Sequence, residues 1–313
     1  MKKYFLVLVL LTGCSTPNDP ENSTLANKNK PLAEVGIPTS VQWNAHWFDG
    51  KAELTSYRLE QARYGEMRTG EAVTIFVTED FSASKQVKLD RPSAAGEDRV
   101  PVLKLNLTKK FQTGIYPYSL MTSVFTPLTG TSSLKVTTSV QEWCGHIFMQ
   151  YNLRDGKYSF KGLSYFESEG EETGNLPKVL LEDEVWTKLR LHPEQLPTGN
   201  IKIIPSTLFS RLHHHPQQVV EVLAEWEKTP DATFGNRPMR IYKITYANPE
   251  PRTLRIAIET GFPFAILGWT EAYNDGFGKS APLVTKAIRK KTTRLDYWSK
   301  NTNADLSLRK LLE

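Results

Sequence analysis

The feature that most restricts this chain is an alternation of apolar and polar residues that begins near Val41 and recurs almost to the end. A period of two puts successive side chains on opposite faces of a strand, so one face can be buried while the other meets water. Residues 51–61 alternate loosely, 71–81 are rich in β-branched and aromatic residues, and 99–107 set Val100, Val102, Leu103 and Leu105 among polar positions. Residues 114–125 follow a glycine turn, 133–151 read as the longest extended run, and Asp155-Gly156 is a hairpin turn leading to 158–166.

Residues 170–177, with Gly, Pro and acids, break the pattern. Residues 178–191 then carry Leu181, Val185 and Leu189 at four-residue spacing beside Trp186, which predicts the one long interior helix. His192-Pro193 stops it, because the residue before proline is pushed out of the helical region. Short β-rich stretches return at 201–204, 219–227, 240–246, 253–259, 265–273 and 284–297, and Asn248-Pro249-Glu250-Pro251 reads as a hairpin connection. Asp305 is placed to cap a short C-terminal helix with Leu308, Leu311 and Leu312 as its apolar face. About a dozen short strands with so little helix predict an all-β, mainly antiparallel fold. The expected architecture is a strongly curved sheet or incomplete barrel, with the helix near residue 185 covering one opening. Short irregular strands with Lys and Arg on both faces argue against a membrane barrel.

The first forty residues differ in kind. Lys2 and Lys3 precede an apolar run over 4–11, too short for the ~20 residues of a spanning helix, so it reads as a removable signal. Leu11-Thr12-Gly13-Cys14 resembles a bacterial lipobox, in which the cysteine becomes the acylated first residue of the mature protein. That resemblance divides the chain into a signal peptide (1–13), a lipidated tether (14–40) and a β-rich domain (41–313), with a possible subdivision near 170–177. The tether carries Pro17, Pro20, Pro31 and Pro38 and few large apolar residues, so it cannot offset its ordering entropy and is expected to be flexible. In the lipoprotein sorting scheme, Asp directly after the lipidated Cys retains the protein at the inner membrane. Ser15 instead implies the outer membrane, on its periplasmic or its surface-exposed face.

A formal charge of +5, falling to +3 without Lys2 and Lys3, gives no support for a nucleic-acid partner. With 2 cysteines, Cys14 taken by lipid leaves Cys144 as a lone thiol in an oxidising compartment. Read as one strand, 141–150 puts Glu142, Cys144 and His146 on a single face, where they could form an activated thiolate or a soft metal site. The same pattern suits a buried strand in which Cys144 acts as a small hydrophobe. His213-His214-His215 is a weak metal candidate, because three consecutive histidines cannot all face one ion from a strand. The basic run Lys286, Arg289, Lys290, Lys291 and Arg294 suits an edge strand guarded by charge or a contact with lipid phosphates, and the acidic stretch 167–184 is its natural counterweight. Hydrolase, zinc-protease, phosphate-loop and dinucleotide motifs are absent from the sequence, and no cofactor is implied.

The segments HWFDGKAEL (46–54), YRLEQARYGE (57–66), QEWCGH (141–146), LLEDEVWTKLR (180–190) and TGFPFAILGWTEAY (260–273) resemble a group of Gram-negative lipoproteins of unassigned function. Some carry the label septum formation inhibitor, which belongs to a cytosolic nucleotide pyrophosphatase whose Ser-Pro-Arg-Arg-type motif this chain lacks. The resemblance brings no activity with it; the anchor and the curved sheet predict a lipid-anchored envelope protein that binds an apolar ligand or a protein partner in envelope maintenance without catalysis. The alternative is a secreted hydrolase or a thiol- or metal-dependent enzyme using Cys144 and His146. Metabolic labelling with a clickable palmitate is expected to mark the protein, and Cys14→Ala to abolish the label. A label that survives the substitution refutes the lipobox assignment.

Overall fold

The computed structural model describes residues 41–228, 230–248, 250–275 and 282–313, all within one compact unit. The signal, Cys14 and the tether lie outside the described residues. A short helix α1 (Val41–Trp47) precedes eight strands: β1 (Ala52–Arg63), β2 (Glu66–Ser82), β3 (Arg99–Thr113), β4 (Tyr116–Pro127), β5 (Lys135–Glu142), β6 (Gly145–Arg154), β7 (Lys157–Ser164) and β8 (Glu171–Pro177). The two-residue β9 (Leu180–Leu181) runs directly into α2 (Glu182–Leu191), followed by β10 (Gly199–Ile204) and α3 (Thr207–Leu212). Strands β11 (Val220–Glu227), β12 (Met239–Tyr246), β13 (Arg252–Glu259), β14 (Ile266–Tyr273) and β15 (Leu283–Leu295) complete the sheet.

All 15 strands form one sheet in the order 8-7-6-5-4-3-2-1-15-14-13-12-11-10-9. Apart from β8 and β9, which end the sheet on opposite sides, strands consecutive in the chain are neighbours in space, as expected of a mainly antiparallel up-and-down order. The first and last strands pair with each other, Ala52 opposite Leu295 and Glu60 opposite Lys286, with a bulge near Ser56. The sheet is left open between β8 and β9. The fold is therefore an all-β, almost wholly antiparallel open barrel. The exception is β9, which lies parallel to β10 across the α2 crossover.

The alternation read from the sequence sorts the side chains. Tyr57 and Leu59 of β1, Leu103, Leu105 and Leu107 of β3, and Ile147, Met149 and Tyr151 of β6 join the main interior core. Smaller apolar clusters, among them Ala52, Leu54 and Val77, form apart from it. Helix α2 does not cover an opening. It lies among the strands with nine of its ten residues buried, including Glu182, Asp183, Glu184 and Arg190. Trp186 meets Trp269 edge to face at 5.0 Å, and Thr187 Oγ1 lies 2.6 Å from Thr126 Oγ1.

Four readings of the sequence are corrected. Residues 133–151 are two strands, because Trp143 and Cys144 form a turn between β5 and β6. Residues 170–177 include an edge strand rather than a break, and Gly174 permits it: a Cβ there would come within 2.6 Å of the Phe160 ring. The basic run lies on β15, which is central, with β1 on one side and β14 on the other. Its partners are Glu259 for Arg289 and Asp49 for Arg294, not the acids of 167–184. At the C-terminus a 3₁₀ helix spans Asn303–Leu311, and Asp305 sits inside its first turn, where its carboxylate accepts from Thr302 N and Oγ1.

A buried, bidentate ion pair joins α2 to β1. Arg190 Nη1 and Nη2 donate to Glu53 Oε1 and Oε2 at 2.6 and 2.8 Å, Nε donates to Pro263 O at 2.9 Å, and the guanidinium lies over Trp47 and Phe76. Burial pushes the Glu53 carboxyl up, but Arg190 and His46 overcome that and hold it well below the usual carboxylate range. Removing one member strands a buried charge, which typically costs about 3–5 kcal/mol. Arg190→Met is expected to lower the urea midpoint steeply, and Arg190→Met with Glu53→Leu to recover much of the loss. Equal midpoints for the single and double variants would contradict this account.

Candidate functional site

The interior holds a polar cavity of about 40 Å³, lined among others by Gln61, Lys109, Glu182, Asp183, His213 and Glu271, with Trp186 and Trp269 as aromatic walls. That volume admits about three water molecules, since each needs ~10–15 Å³ of this measure. It exists because inward positions on several strands carry polar groups. On β3 the inward series Leu103, Leu105, Leu107 continues to Lys109 before Phe111 restores apolar character. Lys109 is buried, and no hydrogen bond or ion pair reaches its ammonium from the described residues. Its nearest aromatic is Trp269, 5.8 Å from Nζ to the ring centroid. Burial pushes its pKa down, and the charges of Glu271 and Glu182 partly restore it.

The carboxylates opposite are held by different elements. Glu182 receives Arg252 and the Tyr246 hydroxyl, and Arg252 Nη1 also donates to Glu271 Oε1 at 2.5 Å. Asp183 Oδ2 accepts from Thr207 N at 2.9 Å and Thr207 Oγ1 at 2.8 Å, which ties α2 to the start of α3. Burial, reinforced by the charge of Glu182, pushes the Asp183 carboxyl up to about 6 against the pull of those hydrogen bonds. Gln61 Oε1 is buried with no partner among the described residues. The cavity thus mixes one cation with several acids, and the acids are already committed to structural partners.

The candidates read from the sequence lie elsewhere. Glu142 ends β5, Cys144 is in the turn, and His146 is the second residue of β6, opposite Gln141. They do not share one strand face, and Cys144 is exposed rather than buried. Glu142 Oε2 accepts from Cys144 N at 2.7 Å, and the carboxylate raises the thiol pKa, the opposite of what a nucleophile needs. The three histidines diverge. His213 stacks on Phe209 at 4.3 Å, and burial lowers its pKa to about 3, so it is neutral. His214 Nδ1 pairs with Glu169 at 2.8 Å, and His215 Nε2 lies 3.3 Å from Glu250. Among the described residues, no group of three or more His, Cys, Asp or Glu side chains is placed to hold a metal ion.

Sequence reasoning passed over Lys109, Arg252 and Glu271. Lys109 was detectable as a lysine in the inward register of an apolar strand, whereas Arg252 and Glu271 look like ordinary strand charges until Glu182 is brought against Arg252.

Neither a protein-family model nor a curated protein matches the chain. Among solved structures it is similar to the beta-barrel-like protein of domain of unknown function DUF1849 from Brucella abortus, at 11% identity, over 78% of this chain and 96% of that one, with a TM-score of 0.45. The fold described above rests on the strand order and registers themselves.

The raised Asp183 pKa has a definite sign. The folded state binds a proton more tightly than the unfolded chain, so this group's contribution to stability falls as pH rises from about 4 through 6. Asp183→Asn retains an oxygen that can accept from Thr207 and removes the titration. Urea midpoints of this variant are expected to match or exceed the parent's at pH 8, with a flatter profile between pH 4 and 7. A steeper profile in the variant would assign the titration elsewhere.

Proposed function

We propose that this is a lipid-anchored cell-envelope protein, held at the outer membrane through Cys14, that acts by binding rather than catalysis. The observation that carries the reading is the filling of the interior by the chain's own α2. An open barrel of this size could hold an apolar ligand, but the cavity beside α2 has about 40 Å³ and is lined in part by carboxylates already held by structural partners. Ligand sites are generally several hundred Å³ and mostly apolar. The recognition surface therefore lies on the outside of the sheet or at its turns, where an envelope partner can be met.

The competing enzyme reading needs Glu142, Cys144 and His146 to converge, and needs an activated thiol. The β5–β6 turn separates them, and Glu142 disfavours the thiolate. The two readings make opposite genetic forecasts. In a deletion strain scored for detergent sensitivity, a chain carrying Glu142→Gln, Cys144→Ser and His146→Ala is expected to restore the parental phenotype, and Cys14→Ala to fail although it folds. Loss of complementation by the triple variant at normal abundance would favour chemistry, and full activity of Cys14→Ala would remove the anchor from the function.

A further inference from the structure

In an up-and-down sheet, alternate turns lie at the same end. The turns β1–β2, β3–β4 and β5–β6 and the connection β7–β8 therefore share one rim, with neighbouring tips about 10 Å apart at two strand spacings. Two-residue turns normally carry Gly, Asn or Asp. Here Ile115 follows Gly114 in the β3–β4 turn at 81% exposure, Trp143 occupies the β5–β6 turn, which holds no Gly, Asn or Asp, at 68%, and Tyr165 the β7–β8 connection at 63%. Met67 is exposed just past the β1–β2 turn. The turns at the opposite end of these strands, 83–98, 128–134 and Asp155-Gly156, expose only one large apolar side chain, Val87.

The apolar character continues onto the outer face. Ser139 lies opposite both Met121 and Phe148, and Phe148 opposite Leu163, so these residues form one row across β4–β7. Met121, Phe148 and Leu163 are all exposed. Together, rim and row account for half of the fourteen large apolar side chains exposed among the described residues. Such concentrations mark interaction surfaces, whereas scattered ones do not.

We infer that this rim inserts into the headgroup–acyl boundary of a lipid bilayer, with Ile115, Trp143 and Tyr165 as the penetrating side chains. Three features select a bilayer over a folded protein. The tips lie along one edge, with Trp143 of the β5–β6 turn 6.3 Å from Tyr116 beside the β3–β4 turn, and a fluid interface accommodates such an edge without a matching shape. Trp and Tyr are the residues that prefer that boundary, with a polar atom for the headgroups and a ring for the acyl side. The turn backbone is closed within its hairpins, so few polar groups lose partners on entry. The chain outside the structure is also long enough. The described chain starts at α1, which packs by Glu53 and Thr78, at the far end of β1 and β2 from the rim. The 27 residues from Cys14 to Ser40 span up to about 90 Å when extended, so a body tethered by them can turn its far rim onto the same membrane. The inference uses the lipid anchor of the proposed function only for proximity.

Cys144 adjoins Trp143 and is the free thiol of the described residues, so it can carry an environment-sensitive probe at the rim. The full mature chain, labelled there with a nitrobenzoxadiazole group, is mixed with vesicles of phosphatidylethanolamine and phosphatidylglycerol containing lipids brominated high in the acyl chain. A blue-shifted emission quenched by the bromolipid is expected, with no change for a probe on Asp155→Cys in a Cys144→Ser background. Ile115→Ser with Tyr165→Ser should reduce the shift. Co-flotation with vesicles reports the anchor separately. If the chain carries no acyl group, Cys14→Ser with excess vesicles poses the same question of the rim alone. A rim probe that stays water-exposed while the protein floats, or in excess lipid, overturns the inference. A shift seen only in native membranes, and not in pure lipid, overturns it in favour of a protein partner.

Discussion

The interior of this sheet depends on one ten-residue helix, and on that helix's buried charges in particular. Successive residues of a helix point about 100° apart. The run Glu182-Asp183-Glu184 therefore aims three carboxylates in three directions from the first turn of α2, where the helix dipole also favours negative charge. Glu182 meets Arg252 of β13 and Tyr246 of β12, Asp183 meets α3, and Glu184 accepts from Ser133 N at 2.6 Å beside β5. Arg190, at the other end, clamps Glu53 of β1. The helix is thus bonded to both flanks of the open sheet and to the central strand pair that joins them.

That arrangement explains how a barrel open between β8 and β9 keeps its interior largely filled. Closing by hydrogen bonds is replaced by an internal strut. Buried ion pairs of this kind add little net stability compared with apolar residues of the same shape. What they add is selectivity. A slip of one residue in any alternating strand would turn its whole inner face outward. For β13 such a slip would carry Arg252 away from Glu182 and Glu271 and leave two acids buried without their cation.

The class of fold was legible in the sequence because period-two alternation is a local property, visible in 71–81 and 99–107 without knowledge of any partner strand. The helix at 182–191 was legible for the same reason. Its place was not, because Leu181, Val185 and Leu189 announce one apolar face, while the burial of Glu182 and Arg190 depends on partners 70 and 137 residues away. The turn at Trp143-Cys144 was missed because it contains neither Asn nor Asp, and Gly145 begins the next strand. The strand at 171–177 was missed because an edge strand tolerates turn-like composition, needing only one neighbour.

The misread turn and the exposed rim have a common origin. A hairpin tip is free of packing demands, so its composition reports what the tip meets rather than what holds it together. Polar turn residues reduce turning strain and favour water. Ile115 and Trp143 do neither, and each pays for its exposure in every solvated state. Such residues are not selected by the fold, whose core is complete beneath them at Phe111, Tyr118 and Ile147. The interior of this protein is consequently the part that specifies one structure, with its carboxylates held by named partners, and the turns of β1–β8 are the part whose chemistry is left over after folding is accounted for. An apolar residue at a turn, left mostly in water although the fold does not require it there, is the physical trace of something outside the molecule.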